Sequence, residues 1–422
     1  MNRRAALGAL GMAATASLAG CVGRLRGNWS DGESDGTGNA STGEGAPDLP
    51  LVEDPPEAVY VPTHREGMIM PSPMMAGEVM VAPMVTYPHP FWLVSGDSVE
   101  LVEVTERDDV HLMVTVWDPE TGTVLPTDEG ILIEVFKDGT LVDSRAPWPM
   151  LSQTMGAHVG DNVPLDGYGT YVVEVRRAPI QTRRTGALAG RFEDHASAVF
   201  EFTYDREFLE TVVGMIEWVD EAHWGVPGAI EPGHGSHNGH DNGDSGSHHD
   251  DDDDEHDDHG HDDGHDEHHH DDGHDDGNDH THDHHRIPFS AVPPVEELPG
   301  THQGTEISGD ADFVVSVVDS DDRFGGDQYL LVSPRTPYNR VPLPDMALSA
   351  EITRNDDPVV ETSLLPALDD LAGHHYGRQL SEIEPGDDLR LIVETPPQTA
   401  RHQGYETAFV EMPPMEMSLD GW

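Results

Sequence analysis

The sequence predicts an all-β protein: two β-sandwich domains in tandem, joined by a disordered His/Asp-rich linker. Three observations predict it. Short β-branched runs alternate with turn signals at roughly 8–12-residue spacing on both sides of an acidic tract. That tract, residues 231–286, holds 21 of the 81 acidic residues and 17 of the 27 histidines, with no apolar period that could support a core. Blocks of the first half also recur, in the same order, in the second.

The chain opens with "MNRRAALGALGMAATASLAGC". Arg3 and Arg4 form a twin-arginine start, and the apolar run from Ala5 to Ala19 is shorter than the ~20 residues that cross a bilayer. Small residues before Cys21 form a lipoprotein-type cleavage site. Residues 1–21 are therefore expected to be a signal peptide for the twin-arginine route, with Cys21 lipidated. The mature protein would be held on the outer face of the cell membrane. Cys21 is the only cysteine, so any metal must be held by His, Met, Asp or Glu. Residues 22–55, rich in Gly, Ser, Asp and Pro, read as a flexible tether.

The first domain spans 56–230. Its strand-like runs are "SVELVEV" (98–104), "VHLMVTVW" (110–117), "ILIEVF" (131–136), "TYVVEV" (170–175) and "AVFEFTY" (198–204). A helix is expected over 206–220, with Phe208, Val212, Met215 and Ile216 on one face. The second domain spans 287–422, with runs at 312–319, 329–333, 346–353, 388–395 and 405–412.

The formal charge is −59 and Lys137 is the only lysine. Such a surface repels nucleic acid, attracts cations and suits high salt, a composition resembling that of salt-adapted microbes. No nucleophile motif, phosphate loop or H-E-x-x-H zinc motif is present, so the chain reads as a binding protein and not an enzyme.

Three blocks carry the duplication. "PMLSQTMGAHVGDN" (149–162) overlays "PALDDLAGHHYGRQ" (366–379) without a gap and pairs His158 with His375. "APIQTRRT" (178–185) overlays "TPPQTARH" (395–402), and "HLMVTVWD" (111–118) matches "DFVVSVVD" (312–319). The shared loop brings a thioether, Met150, and an imidazole, His158, to one turn. Strand alternation puts His111 on a face with Met113 and Thr115. Two imidazoles and a thioether suit copper, and ferrous iron if carboxylates join. Met150 as core filler and His158 as a turn residue would be the structural alternative.

Two further segments are ligand-rich. "GMIMPSPMMAGEVMVAPM" (67–84) offers Met68, Met70, Met74 and Met75 among Pro and Gly, a thioether set fit for Cu(I), while Met80 and Met84 read as strand packing. In the tract, His256, His259, His261, His265, His268, His269 and His270 stand beside carboxylates, a flexible set that takes zinc and similar ions with capacity and little selectivity.

The segments "HLMVTVWDPETG", "PWPML…GAHVGDNVPLDGYGTYVVEV" and "LPAL…GHHYGRQLSEIEPGDDLRLIVETPP…RH" resemble the periplasmic iron-transport lipoprotein family. The resemblance implies an immunoglobulin-like sandwich, often dimeric, with a copper or iron site made by a strand His, a loop Met and His, and a later His after Arg. It covers roughly 58–205 and, more weakly, 305–412. Carried over, it implies His111, Met150 and His158 as metal ligands in the first copy, where Thr185 replaces the later His. In the second copy it implies His375 and His402, with Asp312 at the strand-His position and Ala367 at the Met position. Each copy is thus short of the full set. His195 and His374 stand as substitutes, one in each copy.

These features combine into one expectation: a lipid-anchored extracytoplasmic protein that captures iron, with or without copper, and passes it to an iron permease in the same membrane. The two copies would pair within the chain, or two chains would form a homodimer. The alternatives are a zinc-scavenging His-rich lipoprotein and a metal-free envelope adhesion module.

Overall fold

The computed structural model describes residues 47, 49–125, 130–232, 287–319, 322–326 and 328–422. Cys21, the twin-arginine start and the tract histidines lie outside the described residues, and so do the expectations placed on them.

Among the described residues the fold is all-β, as two sandwiches. In the first, an eight-stranded sheet runs edge to edge through Met74–Ala76, Val79–Thr86, Val110–Trp117, Gly156–Val163, Trp148–Ser152, Ala400–Arg401, Phe91–Ser95 and Ser98–Val102. A four-stranded sheet of Ala196–Tyr204, Gly169–Arg177, Ile131–Lys137 and Thr140–Arg145 packs on it. Val81, Leu112, Val114 and Val159 from one sheet meet Ile133, Tyr171, Val173 and Phe202 from the other. Each such side chain contributes roughly 1.5–3 kcal/mol by leaving water.

Alternation explains where a site can sit. In Val110–Trp117 the even residues Val110, Leu112, Val114 and Val116 belong to this core, so His111, Met113 and Thr115 face the other way. That opposite face would ordinarily meet solvent. Here all eight residues are buried, because other parts of the chain cover it.

The second sandwich is a nine-stranded sheet folded over itself. The strands Ala311–Val318 and Tyr329–Arg335 pack Phe313, Val315, Leu330 and Val332 against Leu348, Ile352, Leu389 and Leu391 of Ala347–Arg354 and Asp387–Thr395. Each half lends a short strand to the other. Ala400–Arg401 from the second half pairs parallel with Trp148–Ser152, placing Ala400 opposite Met150. Arg183–Thr185 from the first half pairs parallel with Asp357–Asp369, placing Arg183 opposite Ala367. The exchange is reciprocal.

Three sequence expectations need correction. The helix is Arg206–Gly214, capped by Asp205 accepting from the Phe208 amide; beyond Gly214 the chain turns into Glu217–Trp218, which pairs with His64–Arg65. Residues 405–412 form turns, and the last strand is Met415–Leu419. The third duplicated block was matched to the wrong strand. His111 stands opposite Asn162, and Tyr329 opposite Gln379, so the gap-free loop overlay makes Tyr329 the counterpart of His111. The strand holding Asp312 corresponds instead to Val79–Thr86, the partner of the His111 strand.

Candidate metal centre

Neighbouring strands of the eight-stranded sheet bring three predicted residues to the outward face. Met150 stands directly opposite His158 across the Trp148–Ser152/Gly156–Val163 pair, and His111 lies on the next strand. Gly160 leaves room between them. A Cβ there would stand 2.8 Å from His111 Nε2 and 3.0 Å from the Met150 sulfur, so nitrogen and sulfur converge on one point. His111, Met150 and His158 are each 0 % exposed.

The lid over this face comes from elsewhere. Ala400–Arg401 lies between Met150's strand and Phe91–Ser95, and the His402 amide donates to Leu151 O at 3.1 Å. The fully buried Arg401 fixes the loop that carries His402 by donating to the Pro397, Tyr405, Ala408 and Phe409 carbonyls. His89, held between Pro88 and Pro90 in the connection to Phe91–Ser95, adds another imidazole. Its ring centre lies 4.0 Å from that of His111 and 5.0 Å from that of His402. His158 and His402 are 5.1 Å apart on the same measure. One ring nitrogen from each of His89, His111 and His402 lies within 4.8 Å of the others. Glu66 approaches from the first strand pair, its Oε1 3.4 Å from His402 Nδ1. A void of about 10 Å³, roughly the size of one water probe, remains against His64, Glu66 and His402.

The hydrogen bonds assign a role to each ring. His89 Nδ1 sits 3.2 Å from Pro90 O, His111 Nδ1 2.8 Å from Asn162 Oδ1, and His158 Nδ1 3.1 Å from Gly156 O. Those oxygens only accept, so Nδ1 carries the proton and Nε2 keeps its lone pair. With Glu66 on His402 Nδ1, the Nε2 atoms of all four rings are buried without a partner among the described residues. A buried polar atom left so costs about 1–3 kcal/mol. Four in one cluster, each with an oxygen behind the opposite nitrogen, is the outer-shell pattern of metal-binding histidines. His64 Nε2 is a further buried atom of this kind beside Glu66.

Burial favours the neutral form of His89, His111 and His158. Burial pushes His89 down to about 4 and His158 to about 3. It holds His111 well below the ordinary range, with its imidazole neighbours adding to the effect. Burial would raise Glu66, but the hydrogen bond from His402 outweighs it and holds the carboxyl below its usual range. Imidazoles, one thioether and one carboxylate form a set able to hold a transition-metal ion.

The structure therefore gathers His111, Met150, His158 and His402, and moves His402 from the second copy's set to the first copy's. Asp312 and His375 are placed apart. Asp312 pairs in register with Arg335, at the far end of its strand from Val318, which faces Tyr329. His375 lies in the second half, its Nε2 3.2 Å from the Tyr329 hydroxyl. His195 is exposed; the His374 ring packs edge-on to Tyr376, 5.4 Å away. Met68 and Met70 line a cavity that also touches Glu66, whereas Met74 packs on the first core and Met75 is 56 % exposed. Sequence reasoning missed His89, His64 and Glu66. The "YPHP" stretch offered one signal, because two prolines hold an imidazole in rigid extended chain.

Residues 296–418 match the model of a family described as "Domain of unknown function (DUF7350)". No curated protein matches the chain. Among solved structures, the chain is similar to FetP of uropathogenic Escherichia coli strain F11, as isolated after periplasmic expression. The identity is 18 %, the match covers 33 % of this chain and 96 % of FetP, and the TM-score is 0.23. A copper-bound variant of FetP matches at 19 % identity over 33 % of this chain and 97 % of that one, with a TM-score of 0.23. Likeness at this level leaves the site to be judged on its own geometry.

Proposed function

We propose that this chain is a lipid-anchored extracytoplasmic protein that captures a transition-metal ion, iron or copper, and hands it to an uptake permease in the same membrane. The observation that carries the metal reading is the cluster of four buried imidazoles, each with Nε2 left without a partner among the described residues, in which His111 Nε2 and the Met150 sulfur meet at the space beside Gly160. The ion is cargo. Imidazole with thioether suits copper, and the Glu66 carboxylate is the group that admits ferrous iron. Anchoring rests on Cys21 and its small-residue approach, export on Arg3 and Arg4. The tract would raise the local supply of cations: Ile230, before it, lines the void against His402, and Ile287, after it, lines the cavity against Glu66.

A chain lacking residues 233–286, produced without metal and titrated with ferrous iron or divalent copper, is expected to bind about one ion per molecule. Combining His158→Ala with Met150→Leu should abolish that binding. Unchanged affinity in the double variant would remove the loop site. Loss of all tight binding on tract deletion alone would favour the zinc-scavenging reading.

A further inference from the structure

A cavity of about 140 Å³ opens beside the imidazole cluster. Five of the sixteen methionines line it: Met68, Met70, Met84, Met155 and Met215. They arrive from four separate places: the segment after the first strand pair, the strand Val79–Thr86, the Ser152–Gly156 turn and the C-terminal end of the helix. Methionines packed as filler would be buried in the core. Only Met84 is so buried, at 3 % exposed, and Met215 is 39 % exposed. The other three are half-buried along the cavity wall. The space is many times the 10–15 Å³ that one water needs. Unbranched thioether side chains on its wall have the freedom to converge on an ion.

We propose that this cavity is a second metal site, a thioether port that takes monovalent copper. Sulfur is the soft donor that selects Cu(I) over zinc or ferrous iron, and it stays a ligand at any biological pH because it does not titrate. Glu66 lines the port and also sits 3.4 Å from His402 Nδ1, so the port opens toward the imidazole cluster. The port itself does not require that cluster to bind metal.

The test uses the full chain at pH 5, where exposed histidines with the ordinary pKa near ~6.5 are protonated. Cu(I) is supplied without oxygen against a chromophoric chelator. The wild type should hold one equivalent more than a variant carrying Met68→Leu, Met70→Leu, Met155→Leu and Met215→Leu, which keeps side-chain volume and leaves Met150 in place. Equal uptake by the two would overturn the port. A second measurement does not depend on the variant folding. X-ray absorption of the wild type loaded with two Cu(I) should give about two sulfur neighbours per copper on average. An average of one sulfur or fewer per copper would overturn it as well, because Met150 alone supplies only about half a sulfur per copper. His158→Ala should leave the extra equivalent in place, which separates failure of the port from failure of the imidazole site.

Discussion

The two halves exchange strands in the same way, yet only one of the resulting pockets is prepared for an ion. In the first, Gly160 leaves space against His111 Nε2 and the Met150 sulfur, and the His402 ring stands 5.9 Å from that of His111 and 5.1 Å from that of His158. In the second, the corresponding positions are Tyr329, Ala367, His375 and Thr185. There the Tyr329 hydroxyl meets His375 Nε2 at 3.2 Å, and Thr185 donates to Asp369 Oδ2 at 2.6 Å. Arg323 closes on the same carboxylate, and Phe324 stacks on Tyr329 with ring centres 4.5 Å apart. Both histidines accept the same support, Nδ1 against a carbonyl two residues earlier. What differs is the far nitrogen: free in one pocket, satisfied in the other. A duplicated backbone thus keeps its geometry while one copy's donors are consumed by its own hydrogen bonds.

The largest expected effect breaks that contrast directly. His402→Ala should lower metal affinity by more than the ~10–100-fold typical of an outer-shell change, while Thr185→Ala, its counterpart, should leave affinity unchanged. Competition titration of both variants decides it. Equal losses would mean that the two pockets share the ion. Next in size is the support behind His111. Asn162→Ala removes the acceptor at 2.8 Å that fixes its tautomer and should cost about 10–100-fold in affinity. Gln379→Ala, at the matching position, should cost none. An Asn162→Ala variant with wild-type affinity would show that His111 does not serve as a ligand.

How much of this was legible depended on the range over which each feature is set. The strand runs follow from local alternation and came through nearly intact. Met150 and His158 share a hairpin, so their proximity was also legible. His402 was not, because its place is decided by a parallel pairing between residues about 250 apart, Ala400 with Met150. Sequence overlay assigned it to its own half, and strand exchange carries it to the other. The same overlay set His111 against Asp312, because two adjacent β-branched strands look alike. Only the cross-strand register, His111 with Asn162 and Tyr329 with Gln379, shows which strand is the counterpart. Glu66 and His89 sit in connections, where no periodicity marks a residue as facing a site.

A smaller effect tests whether the two glycines do one job. A Cβ on Gly160 would press on His111 Nε2 and the Met150 sulfur, and one on Gly377 would stand 2.2 Å from the Tyr329 hydroxyl. Both Gly160→Ala and Gly377→Ala should destabilise the fold by about 1–3 kcal/mol through overpacking, read from denaturant midpoints. Only Gly160→Ala should also weaken metal binding. If Gly377→Ala weakens it too, the second pocket is coupled to the site.

The smallest effect is one of pH. His89 and His158 in the first half, and His374 in the second, have folded pKa values of about 4, about 3 and about 3, lowered chiefly by burial. Unfolded, each titrates near ~6.5. Between those values the unfolded chain binds more protons than the folded one, so stability rises with pH across the window. The metal-free protein should therefore be fully stable above about pH 6.5 and weaken as pH falls toward about 4, by up to roughly 1.4 kcal/mol per pH unit for each group. Burial already leaves His89 and His158 unprotonated in the folded chain between about pH 4 and pH 6.5, so an ion on them displaces no proton there. Saturating metal should therefore raise the denaturant midpoints at pH 7, 6 and 5 by similar amounts and leave the acid slope unchanged. A gain that shrinks steadily toward pH 5 would mean that groups other than these two buried rings hold the ion.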